Sequence, residues 1–309
     1  MIGGWGGGGD PIWWAALNQV EGIGAATMLR LARVFGSAEA AVMASADDLA
    51  AHGRLSPHQA AEIKRVSLEH LTESIAAWSR AGIALLAIGE ERYPTSLLDL
   101  RTPPPLLYLR GELIPADERS VAIVGTRQPT AEGETIAAML AQRFAERGFT
   151  NVSGLARGVD TAGHLGSLAT PEARTIAVLG SGLLRVYPPE NAALCERIAA
   201  RGCLIAEVPP EAAVNRRFLL ARDRIQAALS RALVVVQAHR ECGSIVTARH
   251  AVACRRLLFA VPWAEGPLAE GWENLRAMGA QPITVDSDLD GIASRILTFQ
   301  PPRPQEPLP

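Results

Sequence analysis

Short, mostly apolar, β-rich runs recur from Ser120 onward: VAIVG at 121–125, TNVSG at 150–154, TIAVLG at 175–180, CLIAEV at 203–208, ALVVVQA at 232–238 and LLFAVP at 257–262. A strand covered on both faces reads as such an unbroken run, whereas a half-exposed strand alternates apolar with polar. Helical patterns lie between most of the runs, at 131–147, about 159–168, 190–200, 222–230 and 244–254. This alternation predicts a buried parallel sheet with helices on both sides, a doubly wound, Rossmann-like α/β core.

Upstream the period changes. From Pro11 to about Ala77 apolar residues return at helical spacing, with Trp13, Leu17 and Val20 on one face, Met28, Leu31, Ala32 and Phe35 on another, then Leu68, Leu71, Ile75 and Trp78. Ser56 before Pro57 is a helix start, with a serine N-cap and proline at the first helical position. The prolines and short apolar runs between IALLAIGEERYP and TPPPLLYLRGEL at 102–113 predict extended connections with one or two edge strands. The expected organisation is a Gly-rich leader at 1–10, a small all-α domain at 11–79, the α/β core at 80–298 and a disordered Pro-rich tail at 299–309.

Charge changes the picture in one respect. The 309 residues carry 30 basic and 32 acidic side chains, which excludes a uniformly basic nucleic-acid binder. Yet residues 1–120 hold 10 basic against 14 acidic groups, 121–256 hold 17 against 11, and 257–309 hold 3 against 7. The α/β segment is therefore the electropositive part, and nine arginines fall within 216–256. Arginine is suited to bidentate phosphate recognition. Cys195, Cys203, Cys242 and Cys254 form no CxxC pair and no Cys/His metal spacing, so reduced thiols in a cytoplasmic protein and no metal are expected. MIGGWGGGGD lacks the basic and apolar regions of a signal peptide, and no apolar run approaches a membrane span.

In an open parallel sheet ligands bind at the carboxyl ends of the strands. There the chain carries GTRQPTAEG (125–133), SGLARGVD (153–160), GSGLLRVYPPEN (180–191) and AHRECGSIVTA (238–248). Glycine allows close backbone approach and helix N-termini attract anions, so four such loops predict a phosphate- or nucleotide-shaped pocket. No G-x-G-x-x-G fingerprint, Walker lysine loop, GxSxG or HExxH is present, which disfavours a nicotinamide oxidoreductase and leaves no evident catalytic residue. Arg127 directly follows the first core strand. In RRFLLARDRI at 216–225, arginines surround Phe218, a composition that suits single-stranded nucleic acid, although the residues by themselves favour a solvated arginine-rich helix start with Phe218 in the core. Asp160 is expected to cap its helix or bond a neighbouring loop, and His164 to be structural more readily than catalytic.

In order along the chain, VGTRQPTAEG, SGLARGVDTAGH, VLGSGLLRVYPPEN, RDRIQAALS and GSIVTA, then FAVP and GWENLRAMGA, resemble the core of the DNA-processing protein DprA (Smf) family over about 160 residues, from Val121 to Ala280. RYPTSLLDLRTPPPLLYLRG is similar to that family's lead-in to its extended Rossmann fold. VEGIGAATMLRLARVFGS at 20–37 is similar to its sterile-alpha-motif or helix-hairpin-helix-like domain. The resemblance implies a non-catalytic protein without a cofactor that binds single-stranded DNA, loads the RecA recombinase onto it during natural transformation, and acts as a homodimer. Carried over, Arg127 matches the family's G-S/T-R loop, and Arg222 and Arg224 match the outer arginines of R-N-R-I. Gly154, Gly158, Gly180, Gly182, Gly243 and Ser244 match the turns of the pocket, with Arg216 and Arg217 more loosely placed. Together with Gly125, Arg157 and Phe218 these make the candidate DNA- and phosphate-binding set. This chain departs from the family at Asp223 (usually Asn), Gln237 (Glu), Cys242 (Ser), Trp263 (Gly) and Ala206 (Ser). The frequent C-terminal winged helix is expected to be missing. Two other classes compete: a nucleotide-sensing module, and a phosphoribohydrolase, whose P-G-G-x-G-T-x-x-E loop ECGSIVTARH does not reproduce.

Overall fold

The computed structural model describes residues 9–299. Six helices come first: α1 (Pro11–Asn18), α2 (Ala25–Phe35), α3 (Ala38–Met43), α4 (Ala46–Ala51), α5 (Pro57–Arg65) and α6 (Leu68–Arg80). Their starts are written locally. Asp10 accepts from the Ile12 amide ahead of Pro11, and Ser56 and Gln59 form a reciprocal capping box over Pro57. The single lysine, Lys64, donates to the Val42 carbonyl at 2.8 Å and so ties α5 to the end of α3. Trp14 is the buried tryptophan of α1, while Trp13 is half-buried.

The remaining elements are β1 (Ile83–Ala87), β2 (Leu106–Gly111), β3 (Ser120–Val124), α7 (Ala131–Glu146), β4 (Thr150–Ser153), α8 (Val159–Ala169), β5 (Thr175–Leu179), α9 (Ala192–Arg201), β6 (Cys203–Ala206), α10 (Arg216–Leu229), β7 (Ala232–Val235), α11 (Gly243–Ala253), β8 (Leu257–Ala260), α12 (Gly266–Ala277), β9 (Gln281–Pro282) and α13 (Leu289–Thr298). All nine strands form one sheet, ordered β1-β2-β6-β5-β4-β3-β7-β8-β9. β3 to β9 pair in parallel, while β2 runs antiparallel to both β1 and β6. The Pro-containing stretch thus supplies the two antiparallel strands at one margin.

Alternate residues of β3 enter different cores. Val121 and Ile123 pack with α7 and α13, whereas Ala122 and Val124 join a larger cluster with α10 and α11. That larger cluster continues without a break into the N-terminal helices. One bridge is an edge-to-face pair, with Trp78 of α6 and Tyr108 of β2 at 5.6 Å and 88°.

From β3 the chain winds outward through β4, β5 and β6, then crosses back to β7 on the other side of β3. The crevice at the carboxyl ends of β3 and β7 is therefore the topological switch point, where an open α/β sheet leaves room for a ligand. Two details depart from the sequence reading. α10 begins at Arg216, six residues before the expected start, and α9 begins at Ala192 after a short 3-10 turn over Pro189–Asn191. Among the described residues no helix is long and apolar enough to cross a membrane. The leader at 1–8 and the tail from 300 lie outside the described residues.

Candidate functional site

The switch-point crevice holds a pocket of about 790 Å³. Its walls come from the loop after β3, the segment entering α10, one face of α10 and the start of α11. Close packing makes the first wall. A Cβ on Gly125 would lie 2.6 Å from Val159 Cγ2 and 2.9 Å from the Gln237 carbonyl, so only glycine lets the loop turn here. The Thr126 amide donates to that carbonyl at 2.7 Å. Gln237, buried where the family pattern has Glu, uses both ends of its amide. Oε1 accepts from the Thr130 amide at 3.0 Å, and Nε2 donates to Thr130 Oγ1 at 2.9 Å. Thr130 is the N-cap of α7, so Gln237 holds the loop that presents Arg127.

Beneath the pocket lies a buried charge cluster. Arg222 donates from Nη1 to the Val178 carbonyl at 2.7 Å, and its Nε stands 3.1 Å from Asp223 Oδ1. Its Nη2 is 3.9 Å from Asp160 Oδ2. Asp160 in turn accepts from the Gly154 amide at 3.1 Å and the Ala156 amide at 3.3 Å, which folds the 154–158 loop over the start of α8. Burial pushes the Asp160 carboxyl up, against the pull of Arg222 and the two amides. Burial likewise pushes Asp223 up to about 6, with Arg222 and Arg127 opposing and Asp160 adding to the rise. His164 is fully enclosed. Its Nδ1 meets Thr175 Oγ1 at 2.7 Å, and burial, with Arg222 nearby, holds the imidazole down at about 3, a neutral structural histidine.

Above this floor the free cations are Arg127 and Arg216, both exposed, both lining the pocket, and neither in an ion pair among the described residues. They face the first turn of α11, where Cys242, Gly243 and Ser244 line the wall and no side chain caps the helix. An uncapped N-terminus with two unpaired arginines beside it is a place for an anion. Cys242 Sγ sits 2.8 Å from Ser244 Oγ, so the thiol in the usual serine position still makes a hydrogen-bonding pair. Tyr187, half-buried, is the aromatic side chain of the wall.

The structure brings together six of the expected residues: Gly125, Arg127, Arg216, Arg222, Gly243 and Ser244. Arg222 is in the floor, engaged by two carboxylates, and is no free phosphate partner. Arg224 belongs elsewhere. Residues two apart on an α-helix point about 200° from each other, and Arg224 emerges on the far side of α10 in an ion pair with the half-buried Glu207. Arg157 pairs with Glu190 outside the pocket. Arg217 is exposed and Phe218 half-buried, both off the pocket wall. The other glycines serve packing. A Cβ on Gly154 would stand 1.4 Å from Arg222 Nη1, on Gly158 2.6 Å from the Thr126 carbonyl, on Gly180 2.7 Å from Leu219 Cα and on Gly182 2.2 Å from the Pro210 carbonyl. Asn215, Tyr187 and Gln226 are wall residues the sequence reading did not single out. Asn215 was open to discovery, since its Oδ1 caps α10 by accepting from the Phe218 amide at 2.8 Å, an N-cap pattern directly before RRF.

A family model described as DNA recombination-mediator protein A matches residues 84–292, which contain every wall of this pocket. The chain belongs to that family. Among members, it is 34% identical over 287 residues to Protein Smf of Synechocystis, covering 91% of this chain and 72% of that protein. It is also 34% identical over 221 residues to DNA processing protein DprA of Bacillus subtilis, covering 71% and 74%. The crystal structure of DprA from Streptococcus pneumoniae superposes with a TM-score of 0.79 at 27% identity, covering 91% of this chain and 97% of that one. DprA from Helicobacter pylori, whose structure describes a single-stranded DNA binding mode, matches with a TM-score of 0.62 at 29% identity over 70% of this chain and 95% of its own. The extended Rossmann-like architecture and the family resemblance expected from the motifs both stand.

Proposed function

We propose that the switch-point pocket binds single-stranded DNA, with backbone phosphates against Arg127, Arg216 and the first amides of α11, and with a base against Tyr187 and Leu219. The observation that carries this reading is the pair of unpaired arginines facing an uncapped helix start across one cavity. Phosphate neutralisation supplies most non-specific affinity, and aromatic or apolar faces accept any base. The role in DNA recombination belongs to the family. Delivery of the strand to a RecA-type recombinase, action as a homodimer and a cytoplasmic location extend this proposal and rest on the resemblance.

The floor makes the binding weaker than the arginine count suggests. Arg127, Arg216 and Arg222 are matched in the lining by Asp160, Asp223 and Glu241, so the pocket is nearly balanced in charge. Affinity accordingly depends strongly on salt and on the state of Asp223. The cavity volume also lies within the range of small-molecule sites, which favours a nucleotide-sensing module as a second reading. Fluorescence anisotropy with a labelled oligothymidylate, beside a melting-temperature screen with mononucleotides, separates the two. Binding of the oligonucleotide with no nucleotide-induced melting shift supports the DNA reading, and the reverse result overturns it.

A further inference from the structure

The segment between β6 and α10, residues 207–215, delivers the pocket rim, and the N-terminal helices grip it. Trp78 of α6 is almost fully buried against Tyr108, and its indole Nε1 donates to Glu211 Oε1 at 2.6 Å, across 133 residues of sequence. The Tyr108 hydroxyl continues the chain of contacts by donating to Asn18 Oδ1 of α1 at 3.1 Å. On its other side the same segment is held by the loop after β5, since the Leu184 amide donates to the Pro210 carbonyl and the Gly182 amide to the Ala212 carbonyl, both at 2.9 Å. Directly beyond these anchors, Val214, Asn215 and Arg216 enter the pocket wall.

We infer that Trp78 and Glu211 are positioning residues for DNA binding, through which the N-terminal helices set the place of Arg216. This inference rests on the DNA reading of the pocket. A charge-assisted bond from a buried indole packed edge-to-face on Tyr108 fixes its partner more tightly than a bond between two exposed side chains does. Glu211 is the side-chain anchor from the helical region onto the segment, and the backbone bonds to 182 and 184 leave the segment's helix-facing side to it. Without Glu211, Arg216 must be ordered by the DNA at the moment of binding, and that ordering is taken out of affinity.

The test uses the full chain. Trp78→Phe deletes the donor together with the five-membered ring of the indole, Glu211→Ala deletes the acceptor and leaves the buried Trp78 whole, and Glu211→Gln keeps an acceptor oxygen. Affinity for a labelled oligothymidylate is expected to fall about threefold to tenfold in Trp78→Phe and in Glu211→Ala. Combining them adds nothing further, Glu211→Gln recovers most of the loss, and the Trp78→Phe effect vanishes in an Arg216→Ala background. Hydrogen exchange at residues 211–216 is expected to quicken in Trp78→Phe and in Glu211→Ala without a change in the sheet strands. Unchanged affinity in both single variants, or a Trp78→Phe loss that adds fully to Arg216→Ala, overturns the inference. If the unaltered chain binds no oligonucleotide, the DNA reading fails instead. Unchanged exchange at 211–216 would then also remove the grip, and quickened exchange would retain it.

Discussion

Replacing Asp223 by Asn takes a negative charge out of the pocket while preserving shape and an acceptor for Arg222 Nε, which lies 3.1 Å from Oδ1. The carboxyl is buried at 6% exposure in the wall of the proposed DNA site and titrates at about 6. At pH 7.5 it is therefore ionised and repels any phosphate held by Arg127 and Arg216. For a phosphate about 7 Å away the repulsion is ~0.6 kcal/mol in water and ~2.4 kcal/mol at an effective dielectric of ~20. A middle value of about 1 kcal/mol makes Asp223→Asn bind single-stranded DNA about fivefold tighter at pH 7.5. The pH dependence follows with a definite sign. Lowering pH through 6 neutralises Asp223 in the unaltered chain, so its affinity rises between pH 7.5 and 5.5, whereas the variant stays nearly flat across that window. Folding responds in the same direction. A carboxyl whose folded pKa is raised penalises the native state above about 6 and ceases to do so below its ordinary value near 3.8, so the variant melts higher at neutral pH. Anisotropy titrations at constant ionic strength from pH 5.5 to 8 read the first effect, and calorimetry the second. An Asp223→Asn variant that binds no tighter than the parent at pH 7.5, or keeps the parent's pH slope, refutes the electrostatic reasoning.

Other variants test the division of labour on α10 and beneath it. Arg224→Met is expected to leave oligonucleotide affinity within about twofold while lowering thermal stability, because it strands the half-buried Glu207 on the far side of the helix. A large loss of binding at unchanged stability would return Arg224 to the pocket. Gly154→Ala places a Cβ where Arg222 Nη1 stands, 1.4 Å from it, and is expected to cost about 3 kcal/mol in urea unfolding. A cost below ~1 kcal/mol would show that Arg222 has room to move.

The two kinds of site residue were unequally legible in the chain. The sheet was readable because strands buried on both faces leave uninterrupted apolar runs, as in β3 and β7, and the Gly-bearing loops marked the ligand edge. The function of each glycine was not readable. Gly154 resembles a phosphate-approach glycine in sequence, yet the atom it makes room for is the guanidinium of a residue 68 positions away. The two arginines of RDRI are equivalent as a motif match but not as helix positions, because residues two apart point about 200° from each other. In α10 that sends Arg222 into the floor and Arg224 to Glu207. The glycines of the 180–191 loop mark a turn and say nothing of Tyr187, whose contribution to the wall is an aromatic ring. The grip of Trp78 on Glu211 links residues 133 apart, and no local pattern announces it.

The central claim is that Arg127 and Arg216 bind the DNA backbone in this pocket. Its most direct measurement is the affinity of the unaltered chain and of the Arg127→Ala, Arg216→Ala double variant for an oligothymidylate across a series of salt concentrations. Losing two phosphate contacts is expected to weaken binding by at least about tenfold and to lower the slope of log affinity against log salt by ~1.4, at ~0.7 per contact on a single strand. Equal affinities and equal slopes would contradict the account.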